Sequence, residues 1–192
     1  MSSTTPTKTD LTGKKIAFLT YNDGVEQVEL TVPWKEFGDL GATNTLIAPK
    51  PGIVKGRFHD MDPGDEFKVD LVLDEASADN FDVLLLPGGA VSPDLLRTFP
   101  VAVTLIQRFM EKDKIVAAIC HGSVPLVEAN VLKGRTLTSV RNIRTDLVNA
   151  GGNWIDQELV VDHSGRGILI TSRGPHDLEV FCQGIINALV NE

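Results

Sequence analysis

An α/β sandwich, doubly wound about a mostly parallel central sheet, is the fold class this sequence predicts, and three observations carry it. Short runs such as Lys15-Ile-Ala-Phe-Leu-Thr20, Asp82-Val-Leu-Leu-Leu-Pro87 and Ile115-Val-Ala-Ala-Ile119 have apolar interiors without polar alternation, so each reads as a strand covered on both faces. Stretches with helical recurrence separate them, and strand and helix alternate over one domain length. The first two strands flank a helix, a crossover that imposes parallel pairing. These features together describe a flavodoxin-like sandwich, in which ligands bind beyond the carboxyl ends of the strands.

The 192 residues suffice for one domain with a substantial core. Residues 1–13 are polar, rich in Ser and Thr and without periodicity, which predicts a flexible tail ahead of a domain over 14–192. The first strand, Lys15 to Thr20, runs into the turn Tyr21-Asn-Asp-Gly24. Val25, Val28, Val32 and Phe37 keep helical spacing up to Leu40, with Gly41 beyond the end and Pro33 predicting a kink or break. Thr43 to Ala48 is the second strand. The stretch from Pro49 to Leu73 carries two strand-like pieces, Ile53 to Phe58 and Phe67 to Leu73, and reads as a small β-hairpin insertion. Between them, His59 to Glu66 faintly suggests a calcium loop, but its glycine is misplaced and Leu71 stands where a bidentate Glu is needed, leaving a solvated acidic turn.

The strand before Pro87 ends in Gly88-Gly89, a pair that permits close backbone approach to a ligand, although a tight turn would account for one of them. Ser92 to Pro100 reads as a short helical turn and Val101 to Met110 as a helix. Downstream, Ile115 to Ile119 is a strand, Ser123 to Leu132 a helix closed by Gly134, Thr136 to Ser139 a strand and Arg141 to Ala150 a helix stopped by Gly151-Gly152. Asn153 to Val161 and Gly167 to Ser172 supply the last strands, and His176 to Val190 closes the chain as an amphipathic helix.

Cys120 stands on the abrupt turn between a core strand and a helix. In Ala118-x-Cys120-x-Gly122 small residues flank the thiol as in a nucleophile elbow, with cysteine at the serine position. Amides at a helix start push such a thiol toward thiolate. The pentapeptide alone leaves a packed, inert thiol equally open. Glu26, Gly88, Gly89 and Cys120 all follow strands, so all can meet at one edge of the sheet.

Composition narrows the function. A net charge of −8 and no basic stripe argue against nucleic acid as a partner. No apolar run spans a bilayer and no secretory signal opens the chain, which predicts a cytoplasmic protein with no membrane partner. Cys120 and Cys182 lie too far apart for a disulfide framework or zinc pattern and read as reduced thiols, Cys182 packed beside Phe181, Ile185 and Ile186. His59, His163 and His176 have no metal-ligand spacing; neither metal nor other cofactor is expected.

Asp23-Gly-Val-Glu26, Leu86-Pro-Gly-Gly89, Ala118-Ile-Cys-His-Gly122 and Thr171-Ser-Arg173, with Arg144-Thr-Asp146 and Asn149-Ala-Gly-Gly-Asn-Trp154 between the last two, resemble the ThiJ/PfpI family of the class I glutamine amidotransferase-like superfamily. The likeness runs from about Lys14 to the end and is nearest to PfpI-like and general-stress members, described as intracellular cysteine proteases and deglycases. It implies that Cys120 is the nucleophile, that the Gly89 and His121 amides form an oxyanion hole and that His121 is the general acid or base. It further implies an acidic residue donated across a subunit interface, matched here by Asp94 in place of Glu, and hence at least a homodimer. Glu26 matches a carboxyl beside the cysteine, raised by burial and able to hydrogen-bond the thiolate.

Each assignment has a plainer rival: a solvent-facing helix-start acid for Glu26, an ordinary helix-start residue for His121 and a helix N-cap for Asp94. Arg173 is open between an anionic substrate group and an interface ion pair. Small dicarbonyls or their early protein adducts are the expected substrates, with peptides second. A non-catalytic stress protein, either redox-sensing through an oxidisable Cys120 or chaperone-like, is the alternative. A glutamine amidotransferase would need His and Glu two residues apart near the C-terminus, and His176 is followed by Leu178 at that spacing.

Overall fold

The computed structural model describes residues 9–191. In chain order the elements are β1 (Lys15–Leu19), β2 (Asp23–Glu26), α1 (Gln27–Asp39), β3 (Thr43–Ala48), β4 (Ile53–Phe58), β5 (Asp62–Lys68), β6 (Leu71–Val72) and β7 (Val83–Leu86). There follow α2 (Val91–Leu96), α3 (Pro100–Glu111), β8 (Ile115–Ile119), α4 (Val124–Glu128), β9 (Thr136–Leu137), α5 (Arg144–Asn149), β10 (Asn153–Trp154), β11 (Val160–Asp162), β12 (Ile168–Ser172) and α6 (Leu178–Asn191).

Seven strands form the central sheet in the order β11-β12-β8-β7-β1-β3-β6, parallel except where β11 runs against β12. Successive residues of a strand point to opposite faces, and here both faces are apolar. On one face Ala17, Leu19, Leu84, Leu86, Val116 and Ala118 pack with Ile106 and Phe109 of α3, Leu126 of α4 and Leu147 of α5. On the other, Ile16, Phe18, Leu85, Ala117 and Ile119 meet Leu30 and Phe37 of α1 and Phe181 and Ile185 of α6. The parallel β1–β3 and β7–β8 pairs make the carboxyl ends of β1, β7, β8 and β12 one edge. The doubly wound prediction holds.

A second, three-stranded sheet, β2-β4-β5, projects from that edge. It is the predicted hairpin insertion, enlarged because Asp62 to Glu66 are strand rather than loop and because β2 joins it in parallel. Asp23 and Arg57 hold β2 to β4 with two hydrogen bonds, of 2.9 and 3.1 Å. Gln27 holds the hairpin to α1: its amide donates to Asp65 Oδ2 at 2.7 Å and accepts the Asp65 N–H at 2.6 Å.

Several expectations need correction. Residues 1–8 of the predicted tail lie outside the described residues, but Leu11 is fully buried and its N–H donates to Leu40 O at 2.7 Å, so the ordered chain starts ahead of residue 14. Helix α1 begins at Gln27, because Asp23 to Glu26 are strand, and it runs through Pro33 without a break. Its buried face carries Gln27, Glu29, Leu30, Pro33 and Phe37, while Val32 is exposed. After Cys120 a 3-10 turn, Cys120–Ser123, precedes α4, which stops at Glu128 instead of continuing toward Gly134.

Candidate active site

Strand β8 delivers Cys120 to the sheet edge in a left-handed conformation, φ +59°, which for a residue with a Cβ costs about 1–2 kcal/mol. Close packing holds it there: a Cβ at Gly122 would overlap the Leu86 carbonyl oxygen, so only glycine lets the turn lie against the end of β7. The backbone N–H groups of His121 and Gly89 act on the Cys120 thiol and favour its ionised form. His121 Nδ1 lies 3.4 Å from Sγ.

The two glycines after β7 have separate jobs. Gly89 takes φ +88° at the turn. Gly88 is the close approach, since a Cβ there would stand 2.5 Å from Glu29 Oε2 and 2.7 Å from Cys120 Cβ. Only a bare backbone lets Glu29 and Cys120 flank that position.

Glu29 is therefore the carboxyl beside the cysteine, where the sequence reading placed Glu26. Fully buried on α1, it accepts the Gly88 N–H on Oε2 at 2.8 Å, interacts with the Cys120 thiol and leaves Oε1 buried without a hydrogen-bond partner among the described residues. Burial, against the Gly88 N–H and reinforced by Glu26, lifts its pKa to about 8. The Cys120 thiol is also pushed up, first by burial and next by the Glu29 charge, against the pull of the two N–H groups. This overturns the expectation of a thiol driven toward thiolate by a helix start: the following turn is 3-10 and α4 has five residues, too little helix to outweigh desolvation. Burial thus favours the protonated form of both thiol and carboxyl.

Glu26, the last residue of β2, is buried but turns to the hairpin, where its carboxylate accepts the N–H groups of His59 and Asp60. Burial raises its pKa. Asp60 in turn accepts the Ala90 N–H at 2.6 Å, so the tip predicted as a solvated acidic turn is anchored in the site. Burial lowers the His121 pKa, with Asp60 opposing.

Two predicted residues are not brought to the thiol within this chain. The Asp94 side chain is exposed on α2, 3.9 Å from Arg97 Nη1. Arg173 donates from Nε and Nη2 to Asp177 at 2.8 and 3.0 Å and from Nη1 to Asp156 at 2.9 Å. These ion pairs lie within the chain rather than at an interface, and they commit three of its nitrogens to two carboxylates. Among the described residues no group of three or more His, Cys, Asp or Glu side chains is arranged to hold a metal ion.

The sequence profile of the DJ-1/PfpI family matches residues 14–188. The chain belongs to the DJ-1/PfpI family. Among members of that family it is 42% identical to protein/nucleic acid deglycase 2 of Escherichia coli over 88% of this chain and 93% of that one. Deglycase PfpI of Pyrococcus furiosus is 39% identical over 91% and 99%, and Bacillus subtilis YraA, named provisionally as a cysteine protease, 40% over 92% and 98%. Among solved structures, a two-domain Anabaena variabilis protein with DJ-1/ThiJ/PfpI-like and ferritin-like domains superposes with TM-score 0.83 at 35% identity. The match covers 92% of this chain and 48% of that protein, so this chain spans about half its length. Drosophila melanogaster DJ-1beta gives 0.81 at 25% identity over 93% and 91%. These DJ-1/PfpI relatives support a hydrolase-type activity at the family level.

Proposed function

We propose that this DJ-1/PfpI protein is a cysteine-centred hydrolase of small α-dicarbonyls and their early protein adducts. The observation that carries the reading is the set of groups on one sulfur: two backbone N–H donors, an imidazole nitrogen at 3.4 Å, and a buried carboxyl whose pKa stands at about 8. The deglycase names of the relatives point to the same substrates.

In this reading Cys120 Sγ adds to the aldehyde carbon, forming the S–C bond while the carbonyl π pair moves to oxygen. The thiol proton passes to His121, and the new oxyanion accepts the N–H groups of Gly89 and His121. Glu29, near its pKa at working pH, removes the proton on that carbon and returns it to the neighbouring carbonyl carbon, while His121 gives the thiol proton to that carbon's oxygen, leaving a thioester. Water cleaves the thioester and the thiol regains its proton. One dicarbonyl and one water give one 2-hydroxy acid, with no net oxidation.

Asp94 acts across an interface in this proposal, joining His121 of a second copy. Its exposure on α2 beside exposed Val91 and Leu95 supports that assignment. The deciding experiment follows methylglyoxal loss and lactate formation by wild type and Cys120→Ala, alongside cleavage of a fluorogenic peptide. A fall of at least ~100-fold in turnover for Cys120→Ala is expected, on the scale of losing a nucleophile. Undiminished turnover in Cys120→Ala would falsify the reading, and Cys120-dependent peptide cleavage without dicarbonyl turnover would replace it with peptidase activity.

A further inference from the structure

The Gly88–Ala90 turn has every backbone N–H assigned to a different group. Gly88 N–H donates to Glu29 at 2.8 Å and Ala90 N–H to Asp60 Oδ1 at 2.6 Å, while the Gly89 N–H acts on the Cys120 sulfur. The Gly88 carbonyl accepts the Glu26 N–H at 3.1 Å. In a trans peptide the C=O and the N–H point oppositely, so that bond turns the Gly89 N–H away from Glu26 and toward the thiol. Of the three, the Ala90 N–H is the one held from the hairpin, by a residue 30 positions away in sequence.

Considerable structure keeps Asp60 in reach. His59 and Asp60 both adopt left-handed conformations, φ +51° and +66°, uncommon for residues with side chains. The Glu26 carboxylate accepts both of their N–H groups. Gln27, the next residue, fixes the hairpin lower down through Asp65. Consecutive residues at the start of α1 thus clamp the tip and the body of the hairpin. A strained tip held by buried groups is the pattern of a placed side chain, not of a free loop.

We propose that Asp60 is a positioning residue for Cys120: from the hairpin tip its carboxylate fixes the Ala90 amide, and through it the turn that aims the Gly89 N–H at the sulfur. The assignment rests on Cys120 being the reacting group, and its test includes a measurement that needs no turnover. The other titratable groups around the thiol are His121 beside it, Glu29 from α1, Glu26 at the end of β2 and His59 at the tip; on α2, Arg97 lies 3.9 Å from Asp94 and donates to Glu128 at 3.3 Å.

Two substitutions separate the hydrogen bond from the charge. Asp60→Asn keeps an oxygen for the Ala90 N–H and tolerates a left-handed backbone, but removes the charge. Asp60→Ala removes both, and Asp60→Gly does the same while relieving the backbone, so the last two should agree. The full-length variants are compared by the rate of iodoacetamide alkylation of Cys120 against pH, mapped to that residue by mass spectrometry, and by methylglyoxal kinetics.

For Asp60→Asn the alkylation curve should move to lower pH, because a negative charge acting on the thiol has gone, while kcat stays within about twofold of wild type. For Asp60→Ala and Asp60→Gly the curve should lie at least about half a pH unit above that of Asp60→Asn, because an N–H donor to the thiolate is misaimed. Their kcat should fall about tenfold with KM little changed, less than outright removal of an oxyanion donor. Coincident curves for Asp60→Asn and Asp60→Ala overturn the proposal even if wild type proves inactive toward dicarbonyls. Wild-type kcat in Asp60→Ala overturns it as well.

Discussion

At the scale of single residues, Glu29 has the largest consequences. It lies four positions before Pro33 and eight before Phe37, on the face of α1 that packs on the sheet, where a charged side chain is seldom tolerated without a partner. Folding raises its pKa from 4.5 to about 8, so the native state favours the protonated form. Its contribution to stability is therefore full below pH 4.5 and is lost as pH rises through about 8. Denaturant unfolding at a series of pH values should show wild type losing a few kcal/mol across that window, given about 1.4 kcal/mol per pH unit. Glu29→Gln, which keeps an oxygen for the Gly88 N–H, should flatten the slope; an unchanged slope would reassign the effect to another group. Burial of Glu29 was readable only as a position on a helical face, whereas the family resemblance pointed to Glu26. Asp60 carried no local signal: its function arises from an Ala90 amide 30 residues away.

Among the elements, the hairpin departs most from what its residues suggest. Its strand alternation and the turn after Phe58 were legible, as was its nature as an insertion. Its attachment was not, because β2 was hidden in a segment whose valines also fit a helix. Gln27 carries that attachment, nearly buried with Gly56 and Gly64 packed against its side chain. Gln27→Ala breaks both hydrogen bonds to Asp65 and leaves the Asp65 N–H without its acceptor, which should cost about 1–3 kcal/mol. Hydrogen exchange should locate that loss in the β4–β5 amides while the β7 and β8 amides keep their protection. Uniform loss of protection would show that the hairpin and the sheet open as one unit.

Across the whole molecule, Arg135 joins pieces that are distant in sequence. Its guanidinium and the carboxylate of Asp162 are nearly buried and 3.1 Å apart, and it also donates to the carbonyls of Arg166 and Gly167, tying the approach to β9 to β11 and to the turn before β12. Burial pushes the Asp162 pKa up, but the N–H groups of Thr136 and Ser164, the Ser164 hydroxyl and Arg135 outweigh it and leave it lowered. Arg135→Met strands a buried carboxylate, and denaturant titration should show about 3–5 kcal/mol of lost stability in one cooperative transition. A loss below ~1 kcal/mol would mean that water reaches Asp162 in the variant.

What the sequence determined by itself was the scaffold and the place of Cys120. Unbroken apolar runs require two covered faces, alternation with helices makes the sheet parallel, and a cysteine between small residues after a core strand belongs at the sheet edge. Those properties are local, set by periodicity and by the volumes of adjacent side chains. Tertiary structure alone decided which carboxyl faces the sulfur, which way the thiol is biased and what Asp60 and Arg173 bind. Each depends on desolvation and on groups brought together from separate elements, and neither leaves a trace in sequence spacing.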